Sequence, residues 1–360
     1  MESKFKKNIL IASGGTGGHL YPALVLAQSL KSLDCDITLT LGINPNRRTP
    51  LVLPLELKDV SYTLLPASPL RNIRSLVHNF FALIKAFSIL NTFKPNCVVG
   101  FGSYASFPII LAAYIKRIPI VLHEQNLIPG WANKVASVLA KKVAISFPES
   151  SSYFPNKSIL TGNLVRQEMF NSTIPKKDGF TLLVFGGSSG AKRLNQIILN
   201  VAPKLVPFKD KLNLIHVTGS QEDSRAVSSL LINLGIKNRV LDYAQEISQL
   251  YHEADLVLSR AGASTISELI ATQTPAILIP YPHAVSNHQL KNGMLLSQMG
   301  SAIILPEDTE NLEDRFLYLL LDFLENPHQL KKMKESYRSF PISLKEAPKK
   351  LAEVVISQCR

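Results

Sequence analysis

Residues 12–19 read Ala-Ser-Gly-Gly-Thr-Gly-Gly-His, and they follow an apolar run, Ile9–Ala12. Leu20–Leu30 then carries apolar residues at helical spacing, so the glycine turn opens a helix. Backbone N–H groups at a helix start have no partner in the helix, and glycine lets an anion such as a phosphate approach them closely. A second such unit follows: Thr181–Phe185 runs into Gly186-Gly-Ser-Ser-Gly190-Ala and another helical stretch. His19 ends the first turn, at the carboxyl end of a strand, where a group titrating near neutrality can take up a proton. A third constellation, Ser259-Arg260-Ala-Gly262-Ala-Ser264-Thr265, precedes a helical run at Ile266–Ala271. It gathers N–H groups, hydroxyls and a helix dipole at one point, which suits a diphosphate. Glu268 lies in that run, with a dipole-complementing cap as its plain structural role.

Commoner glycine motifs do not fit. The Walker A string Gly-x-x-x-x-Gly-Lys-Ser/Thr is absent, and Gly-x-Gly-x-x-Gly started at Gly15 demands glycine where Leu20 stands. The second strand ends on Leu41-Gly42 and lacks the acidic residue that would hold a nicotinamide-cofactor ribose. No cofactor is expected.

The elements that must position these residues are strands alternating with helical patterns. In the first half they are Ile9–Ala12, Ile37–Leu41, Cys97–Gly100, Ile118–Leu122 and Lys142–Ile145. In the second they are Thr181–Phe185, Leu212–Thr218, Val240–Asp242, Leu256–Leu258 and Ala276–Pro280. Such alternation predicts α/β domains with parallel sheets and ligands at the carboxyl ends of the strands. At 360 residues, 46% hydrophobic and 18% charged, the chain has length and apolar content for two cores. The division is expected as 1–162 and 163–340, with 341–360, which holds a helical Ala347–Ser357, packing back on the first domain.

Val98–Ile115 is uncharged over membrane-spanning length, but its Gly100, Gly102, Ser103, Ser106 and Pro108 favour a buried strand, a loop and a helix start. Cys35, Cys97 and Cys359 form no CxxC pair, which favours a reducing compartment and no structural zinc. The N-terminus lacks a signal peptide's apolar core. Net charge is +12, of which residues 1–162 carry +10 (17 Lys/Arg against 7 Asp/Glu), implying an anionic partner. Ile73, Leu76, Val77, Phe80, Phe81, Ile84 and Phe87 share helical spacing, read mainly as a core face. With Arg71, Arg74, Lys85, Lys116-Arg117 and Lys141-Lys142 in the same domain, part of this region is also expected to rest on an anionic membrane surface. A nucleic-acid partner is disfavoured, since no recognised motif accompanies the basic runs.

The motifs occur in an order that resembles the MurG family of peripheral membrane glycosyltransferases. They are residues 12–19, Val121-Leu-His-Glu-Gln-Asn126, Gly162-Asn-Leu-Val-Arg166, Phe185–Ala191, Ser259–Glu268 and Asn287-His-Gln-Leu-Lys-Asn292. The resemblance implies a GT-B fold, two Rossmann-like domains with parallel sheets facing across a deep cleft. It implies inverting transfer of N-acetylglucosamine from its UDP form to the 4-hydroxyl of the muramoyl sugar of lipid I, at the cytoplasmic face of the inner membrane. No protein-held metal is expected. His19 is the expected general base. Donor contacts carried over are Thr16, Gly17, Gly18, Asn126, Arg166, Ser188, Ala244, Ala263, Ser264, Thr265, Ile266, Ser267, Glu268 and Gln289, with Glu268 on the ribose and Ala244 near the uracil. Tyr104, His123, Glu124 and Asn133 match acceptor-side positions; Tyr104 alternatively belongs to the core, and Glu124 alternatively pairs with a base. Two departures stand out: Ser103 where the family has glycine, predicting a less close backbone approach, and Ser189 where it has glutamine. The competing readings are a UDP-N-acetylglucosamine 2-epimerase of the same architecture and a non-catalytic basic binding protein.

Overall fold

The structure is a computed structural model describing residues 6–43, 60–68, 73–171, 179–187 and 190–359. The chain forms two compact units, 1–166 with 343–360, and 167–342.

In the first unit, the strands are β1 (Asn8–Gly14), β2 (Asp36–Ile43), β3 (Ser61–Pro66), β4 (Cys97–Gly100), β5 (Ile120–Glu124), β6 (Lys142–Ile145) and β7 (Ser158–Leu160). All pairings are parallel, in the order β3-β2-β1-β4-β5-β6-β7. The helices α1 (Gly17–Lys31), α2 (Ile73–Phe93), α3 (Phe107–Ile115) and α4 (Trp131–Ala136) supply crossovers. Two cores result. Ile9, Ile11, Leu39 and Val99 pack with Leu20, Leu24 and Ala27 of α1; Leu10, Val98 and Leu122 pack with residues of α2 and α3 on the other face. Strands covered on both faces read as continuous apolar runs, which is why β1, β4 and β5 are legible in sequence.

In the second unit, β8 (Phe180–Phe185), β9 (Leu212–Val217), β10 (Lys237–Leu241), β11 (Leu256–Ser259), β12 (Ala276–Leu278) and β13 (Ala302–Ile304) form a parallel sheet in the order β10-β9-β8-β11-β12-β13. Its helices are α5 (Lys192–Val201), α6 (Gln221–Asn233), α7 (Ile247–Glu253), α8 (Ala263–Thr272), α9 (His288–Gln298), α10 (Leu312–Glu325) and α11 (His328–Ser336). In both sheets the first strand has the second on one side and the fourth on the other. Loops leaving the carboxyl ends of those two central strands diverge to opposite faces, and the crevice between them is the favoured ligand site of such sheets.

The chain returns to the first unit as α12 (Ala347–Gln358), where Leu351, Ala352 and Val355 are fully buried against the α1 side of the sheet. Lys7 Nζ donates to the Ile356 carbonyl at 3.1 Å.

As expected, Val98–Ile115 divides into a buried strand, a turn and the helix Phe107–Ile115. One expectation changes. Of the apolar stripe on α2, Leu76, Val77, Phe80, Phe81 and Ile84 are exposed, Phe80 and Phe81 at 60% each. The residues that seat the helix are the small Ala82 and Ala86, with Leu90. These five residues are therefore a surface feature and not a core face, while Phe87 packs against the core, because small side chains let the backbone approach α3 and β3 while the bulky ones point away. Among the described residues, Ser75–Phe93 has the length and apolarity to cross a bilayer, with 17% of its apolar window buried. Arg71 lies outside the described residues, as do the side chains of Ile73 and Arg74.

Removing most of a fully buried leucine side chain costs about 2–5 kcal/mol. Leu351→Ala is expected to lower unfolding stability by that amount, measured by denaturant titration, although the residue lies far along the chain from the sheet it covers.

Candidate active site

β1 ends in a turn whose geometry requires missing side chains. A Cβ on Gly14 would sit 2.8 Å from both Cβ and Oγ of Ser103, and one on Gly42 would sit 2.1 Å from the Ala105 Cβ. The loop after β4 is thereby pressed against the ends of β1 and β2. Ser103 holds φ +67°, ψ 146°, a region that favours glycine, and its Oγ accepts from the Ala105 N–H at 3.3 Å. The serine thus holds a backbone conformation that glycine adopts without strain.

Thr16 precedes the first helical residue, Gly17, and its carbonyl accepts from the N–H groups of His19 (3.0 Å) and Leu20 (2.9 Å). His19 is half-buried, and its Nδ1 lies 2.8 Å from the Thr16 hydroxyl. When Nδ1 carries the proton and donates to that hydroxyl, the ring's basic lone pair is on Nε2. Thr16 and Gly18 are exposed and Gly17 half-buried, so this helix start is open to solvent.

Glu124, at the end of β5, is 1% exposed. Its Oε1 accepts from the Asn126 backbone N–H (2.9 Å) and Nδ2 (3.1 Å); Oε2 accepts from Gly130 N–H (3.2 Å) and Asn133 Nδ2 (2.8 Å). Burial pushes its pKa up from the usual carboxylate value, and these donors oppose the shift. His123 is fully buried: Gln125 Nε2 lies 3.2 Å from its Nδ1, its Nε2 is 3.2 Å from the Gly162 carbonyl, and its ring packs on Phe101. Asn133 is 2% exposed. These three residues form a buried network that folds the loop 125–130 over β5 and orients Asn126, the geometry of a positioning role. Glu124 does not pair with a base; amides satisfy it. Tyr104, 39% exposed, is not core and remains an acceptor-side candidate. Arg166 lies 4.5 Å over the Tyr21 ring, which sits on α1.

In the second unit, a Cβ on Gly186 would meet the Ala191 nitrogen at 2.4 Å, and one on Gly190 the Thr218 carbonyl at 2.3 Å. These contacts fix the β8 turn, while Ser188 and Ser189 lie outside the described residues. β11 ends at Ser259 and α8 begins at Ala263, three residues earlier than the helical run read from sequence. Glu268 consequently sits in the second turn and not at the cap. It is half-buried, with Tyr251 Oη donating to it at 3.2 Å. Ile266 and Ser267 are buried, and the Ser267 hydroxyl donates back to the Ala263 carbonyl, so neither side chain faces the helix start. Ser264 is different: its hydroxyl is buried and without a hydrogen-bond partner. Arg260 is pinned by the Ile279 carbonyl and Glu307, and structures the base of the turn. Gln289 accepts from the Tyr281 N–H at 2.9 Å, and half-buried Ala244 lies in the loop after β10.

An Asp-x-Asp string, Asp34-Cys35-Asp36, is present in the sequence, but it lies at the amino end of β2, where Lys6 pairs with both carboxylates (3.9 and 2.7 Å). It is at the wrong end of the sheet to hold a metal beside the glycine turn. Among the described residues, no group of three or more potential metal ligands is found.

Two α/β units, each with a glycine turn entering a helix at the switch point, have the form of paired nucleotide-binding folds. Residues 9–145 match the glycosyltransferase family 28 N-terminal domain, and residues 181–353 match its C-terminal domain. The chain belongs to glycosyltransferase family 28. A Syntrophotalea carbinolica protein named UDP-N-acetylglucosamine--N-acetylmuramyl-(pentapeptide) pyrophosphoryl-undecaprenol N-acetylglucosamine transferase is 37% identical, covering 93% of this chain and 95% of that one. The crystal structure of Acinetobacter baumannii MurG is similar with a TM-score of 0.72 at 27% identity, covering 98% and 99% of the two chains. A UDP-GlcNAc 2-epimerase from Neisseria meningitidis bound to UDP-GlcNAc shares the fold (TM-score 0.66, 15% identity, 97% and 100% covered).

Burial holds His123 down at about 4 and His216 at about 3, from an ordinary 6.5, because desolvation penalises the imidazolium. The unfolded chain therefore binds protons on these rings first, and their contribution to stability, complete above about pH 6.5, is lost as pH falls toward 4 and 3. NMR titration of the folded protein is expected to show both rings neutral at pH 5.5.

Proposed function

We propose that this chain transfers N-acetylglucosamine from UDP-N-acetylglucosamine to the 4-hydroxyl of the muramoyl sugar of lipid I, giving lipid II. The observation carrying this reading is identity to curated transferases along nearly the whole chain, through both units. The epimerase reading rests on likeness at 13–15% identity, which speaks for fold alone.

In this reading the second unit receives the donor. The start of α8 offers its early N–H groups and the unpartnered Ser264 hydroxyl to the diphosphate; Thr16, Gly17 and Gly18 are kept as donor contacts on the family resemblance. Ser264 and the backbone of Ala263 and Thr265 are the contacts the geometry favours; Ile266 and Ser267 act by packing the helix. Glu268, oriented by Tyr251, accepts from the ribose hydroxyls. Ser188, Arg166, Asn126, Gln289 and Ala244 complete the donor set. The acceptor oxygen attacks the anomeric carbon, the bond from that carbon to the UDP oxygen breaks, and UDP departs with the electron pair. The hydroxyl proton passes to His19 Nε2, and the developing diphosphate charge is met by the α8 dipole. No protein-held metal enters this scheme.

The first unit is the acceptor side and meets an anionic membrane at the cytoplasmic face of the inner membrane. Exposed Leu76, Phe80, Phe81 and Ile84 supply apolar insertion, and exposed Lys85, Lys116, Arg117 and Lys141 supply attraction, about 1 kcal/mol for each cation near the surface.

Radiolabelled UDP-N-acetylglucosamine with a lipid I analogue tests the activity: label moves to lipid if the reading holds, whereas UDP release without an acceptor favours the epimerase. His19→Ala is expected to lower turnover by roughly 10²–10⁴-fold with donor affinity retained by calorimetry; near-normal turnover removes the base assignment. Phe80→Asp with Phe81→Asp is expected to abolish sedimentation with phosphatidylglycerol vesicles while leaving the thermal midpoint nearly unchanged, since both side chains are exposed.

A further inference from the structure

α4 has two faces with different work. Its inner face presents Asn133 to Glu124, and the Gly130 N–H just before it is bound to the same carboxylate. Its outer face, with α3 and the turn that follows α4, walls an apolar trough of about 660 Å³. Phe107 and Leu111 form one side; Trp131, Val135 and Val138 form the other, and Lys134 stands at the rim. Trp131 is 67% exposed and Val138 76% exposed.

Large apolar side chains this open, grouped around a concavity, mark a binding surface. The volume lies within the range of small-molecule sites. The lining offers nothing to a sugar, a nucleobase or a peptide backbone, all of which need hydrogen-bond partners when buried. What it offers is hydrocarbon contact with a cation at one edge. The Lys134 ammonium is held 4.9 Å over the Tyr153 ring, and Lys157 Nζ donates to the Ser137 and Val138 carbonyls (2.8 and 3.1 Å), adding a second cation by the same turn. An apolar chain carrying an anionic head matches both the lining and the charge.

We propose that this trough takes the first part of the polyprenyl chain of a polyprenyl-diphosphate-linked acceptor, with its diphosphate toward Lys134. The inference rests on the lipid-linked acceptor reading above and deepens it. Because α4 is shared, a chain seated on the outer face holds its headgroup beside the loop 125–130, whose conformation the inner face sets. The trough is distinct from the exposed apolar stripe of α2.

Trp131 is the single tryptophan of the chain, so its fluorescence reports the trough directly. Farnesyl diphosphate, added to the whole protein without vesicles or detergent, is expected to shift the emission to the blue with saturation, while inorganic diphosphate does not. Val138→Asp is expected to weaken that response by about tenfold or more, with an unchanged thermal midpoint because the side chain is exposed. In the transfer assay the same variant is expected to raise KM for a long-chain acceptor about tenfold, leaving KM for the donor and the rate with a water-soluble short-chain acceptor unaltered. A tryptophan that ignores farnesyl diphosphate but responds to phosphatidylglycerol vesicles overturns the proposal, making the trough part of a general membrane face. Equal responses from wild type and Val138→Asp overturn it too. Absence of transfer with every acceptor tells instead against the activity, since the fluorescence readout does not depend on turnover.

Discussion

The arrangement depends on backbone meeting backbone where the central strands of the first sheet end. Gly14, Gly42 and Gly100 stand at or beside the carboxyl ends of β1, β2 and β4, and a methyl group on any of them would lie within 3 Å of a neighbouring side chain. With those methyls absent, the loop after β4 lies against the turn after β1. Ser103 accepts a backbone shape that disfavours side chains in order to keep the contact. His19 is placed by this contact as much as by its own helix.

A second constraint is the sealing of Glu124. An ionised carboxylate inside a protein is tolerable only when its oxygens are well supplied with donors. Here two backbone N–H groups and two amide side chains supply them, all from residues 126–133. The donors cannot be satisfied unless the loop folds back over β5, so one buried charge dictates a loop conformation and the entry angle of α4. The residue type suggests chemistry with a substrate; the burial assigns it a positioning role.

Legibility in the sequence follows burial. β1, β4, β6 and β8 stand close to where their apolar runs predict them, because central parallel strands are covered on both faces. The strands missed are β3, β7 and β13, and β10 is displaced from Val240–Asp242 to Lys237–Leu241. All four lie at sheet edges. An edge strand has one neighbour and partly exposed side chains, so it carries no continuous apolar run to read. Within the candidate site the same rule works in reverse. Glycine turns and helix starts announce themselves by residue type, whereas the earlier start of α8 depends on packing of Ala263 and Thr265, which no local pattern records.

By itself the sequence determines the alternation of strands and helices, the two glycine turns, and which residues carry protons or accept them. It also determines the helix of residues 73–93 as an apolar, 3.6-periodic segment. Periodicity measures the contrast between two faces of a helix and is silent about which medium each face meets. Only tertiary packing, through the small Ala82 and Ala86, turns the bulky face outward. Only tertiary packing, likewise, buries His123, Glu124 and Asn133 while leaving His19 and Tyr104 accessible, because burial is a property of what covers a residue and not of the residue itself.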